Sequence, residues 1–372
     1  MEIKIGMVAP TKAGKSSLLA TTFSEMQLRL SGNTNGIQYW ADSRQTQDAI
    51  TRMMASYRAI MATDDDVFAT PQMAGTAETR DYRFSYSIPV VGAPPQRLNV
   101  WFKDFPGGLV GMSDFANEVG PFVRESTVLL VPIPADILME LADTDGKGDQ
   151  TCIRRNIAAA CALRLNDTLA VIKDWVDHKT ADQSESLLVF VPVRCEAYFN
   201  DNGGHSDRRD ILFSAVEKFY INPLALSVDN RRHVQIEAHA VDTYGTVELK
   251  SVELVEGPDG DELDSTFRKR FSVGSDAPIR SKGAFDLLAT ISCFELKKSA
   301  KVLEMDITEL ARKIADRSLW TIIWEALFGS SAKRQQIQKM AANKSAYEAI
   351  SVVSRLANQD EYRQQVYNKI ME

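Results

Sequence analysis

The sequence predicts a three-layer α/β sandwich, built on a mostly parallel sheet that contains one antiparallel strand, followed by a C-terminal helical extension. Three observations carry that expectation. Short apolar runs at 3–8, 128–134 and 186–193 alternate with stretches of helical period, the order of an α/β sheet. Two further runs, 82–88 and 98–104, are separated by Gly92 and Pro94-Pro95 and so pair as an antiparallel hairpin. From Ser299 onward the composition is nearly continuous helix former, broken at Gly329-Ser330-Ser331. The expected division is therefore a domain at 1–298 and a helical extension at 299–372.

The first β-α unit is the most informative stretch. Ile3, Ile5, Met7 and Val8 read as a short buried strand, Ala9 to Gly14 as a tight loop, and Ser16 onward as the first turns of an amphipathic helix. A loop that curls around a phosphate exposes successive backbone N–H groups and ends at the positive end of a helix. This is the layout of a P-loop, with Ala9 at the first position of the G-x-x-x-x-G-K-[ST] pattern. Gly14 permits close approach, Lys15 is placed to reach the β- and γ-phosphates, and the Ser16 hydroxyl is placed to bind Mg²⁺. Ala13, Gly14, Lys15, Ser16 and Ser17 are the candidate phosphate-binding residues. The competing reading is a chance match in a Gly/Lys/Ser-rich turn; a strand before it and a helix after it weigh against that.

Further along, residues 17–30 and 43–62 read as helices, and Asp64-Asp65-Asp66 as a solvated loop. The segment 68–79, rich in small and hydroxyl residues, leads into the hairpin, whose second strand ends in Asp104-Phe105-Pro106-Gly107-Gly108. A carboxylate on a strand tip can orient Mg²⁺ through water, and the Gly107 N–H can meet a γ-phosphate, so this pair would read nucleotide state. An ordinary strand-ending turn is the alternative. Residues 143–149 lack the spacing and closing glutamate of a calcium loop and read as a flexible connection. One long helix is expected over 150–177. The strand 186–193 ends in Arg194-Cys195-Glu196, a helix follows at 207–220, and another strand at 232–241. Residues 247–282 read as β-rich without a catalytic motif.

Composition narrows the function classes. A net charge of −7 over 372 residues argues against a general nucleic-acid binder. Cys152, Cys161, Cys195 and Cys293 lack C-x-x-C spacing, so reduced thiols are expected and a zinc site is not. No stretch reaches the ~20 apolar residues of a membrane span, and the N-terminus opens on a strand without a secretory pattern. A cytoplasmic protein is the expectation.

With these motifs in place, the chain resembles the translation-factor-related class of P-loop GTPases, and within it the bacterial double-GTPase-like proteins, over residues 1–298. The resemblance implies a P-loop NTPase fold with GTP/GDP and Mg²⁺ as cofactors. It implies a phosphate loop at 9–16 and a D-x-x-G motif at 104–107, with Asp104 and Ser16 at the metal. The switch threonine would be Thr76, with Thr79 and Thr70 as alternatives, completing the Mg²⁺ shell and joining Lys15 and Gly107 in catalysis. The base-reading [NT]-K-x-D motif corresponds to Val193-Arg194-Cys195-Glu196, a departure in which arginine replaces lysine and glutamate replaces aspartate. Glu196 would accept two hydrogen bonds from guanine and Arg194 would stack on the base; a surface Arg–Glu pair is the competing reading. The last base-contacting loop would be 241–245. Gly108 stands where many signalling GTPases carry a water-orienting glutamine, so slow intrinsic turnover is expected.

In the C-terminal segment, Trp320, Ile323, Trp324, Leu327 and Phe328 form one helical stripe, which packs on its own domain or meets a partner or membrane surface. Lys333, Arg334, Lys339 and Lys344 are interspersed with acids, as on a solvated helix. The leading function is a GTP-binding, slowly hydrolysing switch that acts on a protein partner through residues 68–80 and 104–115 or through the C-terminal helices. The alternatives are an ATP-dependent P-loop phosphohydrolase, disfavoured by the hairpin, and a non-hydrolysing nucleotide-gated scaffold.

Overall fold

The computed structural model describes residues 1–31, 36–61, 68–69, 79–91, 93–109, 119–199, 207–243, 247–255, 266–273, 281–315, 331–356 and 363–365. The strands are β1 (Glu2–Met7), β2 (Gln38–Ala41), β3 (Phe68–Ala69), β4 (Arg80–Val90), β5 (Ala93–Asp104), β6 (Val128–Pro134), β7 (Ser186–Val193), β8 (Val234–His239), β9 (Val247–Val255), β10 (Thr266–Val273) and β11 (Arg363–Gln365). The helices are α1 (Lys15–Ser31), α2 (Arg44–Met61), α3 (Gly120–Glu125), α4 (Ala135–Thr144), α5 (Gln150–Ala162), α6 (Leu165–Ala181), α7 (Arg209–Val216), α8 (Val228–His233), α9 (Ala284–Ala315) and α10 (Ser331–Leu356).

Among the described residues the main sheet has the order β11-β8-β7-β6-β1-β5-β4-β2. β1 lies between β5 and β6 and is parallel to both, and β6, β7 and β8 continue in parallel. β4 is the expected reversed strand, antiparallel to β5 and to β2. Short β11 adds an antiparallel edge on β8. Neither β2 nor β11 is foreseen from sequence: edge strands of three or four residues are held by backbone pairing and carry little apolar alternation.

Burial on both faces makes the three layers. Val128 and Leu130 of β6 join one core with Ile3, Ile5 and Met7 of β1, Leu19 and Phe23 of α1, and Leu288 and Ile291 of α9. Leu129, Val131 and Ile133 join the other, with Leu138 of α4, Trp175 of α6 and Val216 of α7. A strand covered on both sides reads as a continuous apolar run, which is why Val128–Pro134 and Ser186–Val193 are legible to the residue.

Elsewhere the chain departs from its sequence pattern. The helix expected over 150–177 is two, α5 and α6, because Arg164 takes a left-handed conformation with φ +42° between them. The strand expected over 232–241 starts only at Val234, since a Ser227–Asn230 capping box draws Val228–His233 into α8. Residues 143–149 close α4 and lead to α5, whose first turn is capped by the Asp149 carboxylate accepting from the Cys152 N–H at 2.9 Å. Within 247–282, β10 pairs with β9 on one side and with β3 on the other in a separate antiparallel sheet.

The expected division at 298/299 falls inside the unbroken helix α9. Leu288, Ile291, Leu296 and Ala300 of α9 follow one buried stripe across that point. α10 packs on α9, β4 and β5, and its Ala349 and Val353 enter the same core as β1. The stripe from Trp320 to Phe328 lies outside the described residues. No helix among the described residues is long and apolar enough to cross a membrane.

Candidate functional site

The site lies at the C-terminal end of β1, between the ends of β5 and β7. Met7, Val8 and Ala9 are fully buried, so the strand delivers the chain to the sheet edge before the loop turns. Lys12 at φ +65° and Gly14 at φ +99° make that turn. Only glycine is at ease at Gly14, where a Cβ would also come within 2.9 Å of Val193 Cγ2. Ala9 has no positive φ, so glycine is not required at the first motif position. α1 starts at Lys15, and the Leu18 N–H reaches the Gly14 carbonyl at 2.8 Å. Ala13 and Ser17 are buried beside the loop.

Lys15 is 7% exposed, and its Nζ donates to the carbonyls of Ala9 at 2.8 Å and Pro10 at 3.3 Å. Burial lowers its pKa to about 8, an effect partly offset by the Asp104 carboxylate. The ammonium stands 5.8 Å from the centre of the Phe105 ring. Asp104 ends β5 in the buried interior, and the Ser16 hydroxyl donates to its Oδ2 at 3.4 Å. Gly107 opens a 3-10 turn, Gly107–Leu109, hard against the loop. The Gly108 carbonyl accepts from Arg164 Nη1 at 3.2 Å. The hairpin and the first β-α unit therefore meet, with Lys15, Ser16, Asp104 and Gly107 together.

The predicted base-reading residues stand differently. Arg194 is neither stacked outward nor paired with Glu196 on the surface. Its side chain is 6% exposed, and Nη2 lies 3.1 Å from Asp136 Oδ1 in the first turn of α4. A guanidinium with a carboxylate inside the protein stays with it, because exposing either partner would strand the other. Lys269 of β10 reaches the second oxygen of Asp136. The Asp136 carboxyl is pushed up by burial, but Arg194 and Lys269 outweigh this and hold it below its ordinary range. Burial lowers the Lys269 pKa to about 8, with Arg194 acting in the same sense. Glu196 is buried and opens the 3-10 turn Glu196–Tyr198.

Thr76 and Thr70 lie outside the described residues. Thr79 is exposed and precedes β4, where Arg80 is paired in register with Asp104. In the last loop, Val241 bridges to Val193 and the Thr243 carbonyl accepts from Thr21 Oγ1 at 3.3 Å; Tyr244 and Gly245 lie outside the described residues. Sequence reasoning missed Asp136, Arg164 and Lys269. None belongs to a motif, and only the fold brings them to the ends of β5 and β7.

No protein-family model and no curated protein matches this sequence. Among solved structures, the chain is similar to the GTPase-like domain of Ski7 from S. cerevisiae, bound to GDP and inorganic phosphate, with 9% identity and a TM-score of 0.30 over 64% of this chain and 43% of that one. The same domain bound to GTP gives 12% identity and a TM-score of 0.27, again over 64% and 43%. The signal recognition particle receptor SRb-GTP/SRX complex from Chaetomium thermophilum gives 11% identity and a TM-score of 0.32, over 65% of this chain and 91% of that one. The chain thus spans less than half the length of the Ski7 chain. Likeness at this level says nothing of what this chain binds.

Proposed function

We propose that this chain binds a guanine nucleoside triphosphate on the loop at 9–16 and hydrolyses it slowly, switching a protein partner according to nucleotide state. The observation that carries the reading is the convergence of Lys15, Ser16, Asp104 and Gly107 on one loop at a helix N-terminus. Lys15 would exchange the Ala9 and Pro10 carbonyls for phosphate oxygens, and the Gly107 N–H would face the γ-phosphate. The Ser16 hydroxyl and the Asp104 carboxylate are hard oxygens 3.4 Å apart, a donor set that suits Mg²⁺. When bound, the ion would neutralise charge on the phosphates. Thr76, with Thr79 and Thr70 as alternatives, is the proposed further oxygen.

Base recognition falls to Glu196, because Arg194 is engaged with Asp136. Gly108 brings no side chain to orient water, so turnover in the isolated protein would be slow. That same residue favours a second reading, a nucleotide-gated scaffold that does not hydrolyse. The chain resembles the translation-factor-related GTPases, and residues 299–372, whose helices share a core with β1, are the proposed route by which a partner responds to nucleotide state.

The test is titration of the purified protein with labelled GTP, GDP and ATP, with and without Mg²⁺, alongside phosphate release. Tight, Mg²⁺-dependent binding of GTP over ATP is expected. Equal binding of both would remove the base assignment, and binding of neither would remove the function.

A further inference from the structure

The loop after β7 is held by an ion cluster that spans three elements. Arg194 adopts φ +64°, a region that residues with side chains rarely occupy. Such a conformation persists only where its surroundings over-determine it. Here they do: Arg194 Nη2 sits 3.1 Å from Asp136 Oδ1, and Lys269 Nζ sits 2.5 Å from Asp136 Oδ2. Asp136 Oδ1 also accepts the Ile137 N–H at 2.9 Å. All three side chains are about nine-tenths buried or more.

Two cations thus share one carboxylate, and burying the Lys269 ammonium there carries a further desolvation cost. What Lys269 supplies is geometric: it grips the carboxylate oxygen that Arg194 does not use, fixing Asp136 between two elements. Arg194 in turn lies between Val193, which packs against Gly14 of the phosphate loop, and Glu196, two residues on.

We propose that Lys269 and Asp136 are positioning residues of the nucleotide site: acting through Arg194, they fix the loop after β7 and so determine which base is accepted. The inference rests on the nucleotide-binding reading above. It assigns a role in that site to β10, a strand of the second sheet.

The experiment compares wild type with Lys269→Met, Lys269→Gln and Lys269→Arg, measuring dissociation constants for GTP and ATP with Mg²⁺ and the thermal midpoint of each. Lys269→Met and Lys269→Gln leave a balanced Arg194–Asp136 pair, so little change in the midpoint is expected. Either should narrow the GTP-over-ATP preference roughly ten-fold, and Lys269→Arg should retain it. A preference unchanged in the folded neutral variants overturns the inference while nucleotide binding stands. A wild type that binds neither nucleotide overturns the nucleotide reading, and this inference with it.

Discussion

Gly107 lies so close to Lys15 that a Cβ on the glycine would stand 2.7 Å from Lys15 Nζ, and 2.5 Å from the Pro10 carbonyl carbon and the Thr11 nitrogen. Two of those three neighbours are backbone, which cannot turn aside as a flexible side chain does. The contact makes the end of the hairpin and the phosphate loop a single packed unit.

The first prediction follows from that contact. Gly107→Ala should destabilise the protein by about 1–3 kcal/mol and lower GTP affinity, because the loop must shift to admit the methyl group. Gly108→Ala is the control. Its Cβ would meet only Thr11 Oγ1 at 3.7 Å, ordinary van der Waals contact, so stability and binding should stay near wild type. Denaturant titration and nucleotide binding of the two variants check this, and equal effects would contradict it.

Lys15 gives the second. Its pKa in the folded protein is about 8, below the ordinary 10.5, because burial disfavours the ammonium. A depressed pKa makes a contribution to the stability of the ligand-free protein that is present above 10.5 and lost as pH falls through about 8. Phosphate binding works the other way, since an anion beside Lys15 raises its pKa and draws a proton in. Triphosphate affinity should therefore fall as pH rises beyond about 8, by up to roughly ten-fold per pH unit. Calorimetry in buffers of different ionisation heat should show proton uptake. Lys269 also titrates near 8, so the assignment to Lys15 requires that Lys15→Met abolish the effect together with the binding, and that Lys269→Met retain the proton uptake.

The part of this site that was legible in the sequence is the part built on local chain geometry. Strand, turn and helix at 3–19 are consecutive, and Gly14 and Lys15 announce their use by type and spacing. Asp104 and Gly107 were legible because a hairpin ends in them. Arg194 is legible by its place after β7 but its orientation is not, for its partner Asp136 and the Lys269 that shares that carboxylate lie 58 and 75 residues away in sequence, and neither sits in a recognisable pattern. The same limit explains the fold. Buried β6 and β7 read plainly as apolar runs, whereas the break at Arg164 depends on a left-handed turn that arginine does not advertise.

A third prediction concerns Glu25, buried in α1, whose Oε2 accepts the Phe285 N–H at the start of α9 at 2.8 Å. Burial pushes its pKa up from 4.5 to about 7, a shift moderated by that hydrogen bond and reinforced by Asp286. A raised carboxyl pKa means that the folded state holds the proton more tightly than the unfolded chain. The resulting stability is fully present below 4.5 and is lost as pH rises through about 7. The change across that window should approach about 3 kcal/mol. Glu25→Gln keeps an acceptor for Phe285 without the charge, so its stability should be flatter between about pH 5 and about pH 8. A wild type more stable at the alkaline end would reverse the sign and discard the assignment.

The final prediction addresses whether the C-terminal helices are an appendage. Val353 of α10 is buried, Ala349 is fully buried one turn earlier, and both belong to the core that holds Ile3, Ile5 and Met7 beneath the phosphate loop. The Leu356 carbonyl accepts from Arg29 of α1 at 3.2 Å, and Ser354 lies at 3.5 Å from Cys293 of α9. A charge at position 353 would be buried without a partner in that shared core, at a cost of several kcal/mol. Val353→Asp should therefore lower the unfolding transition of the whole protein, and nucleotide binding should be lost on heating in that same single transition. An independent extension behaves otherwise: α10 alone would melt, a first small transition would separate from the main one, and the nucleotide site would bind as before. Calorimetry resolves the two cases directly, because a common core transmits the loss to β1 and a separate arm does not.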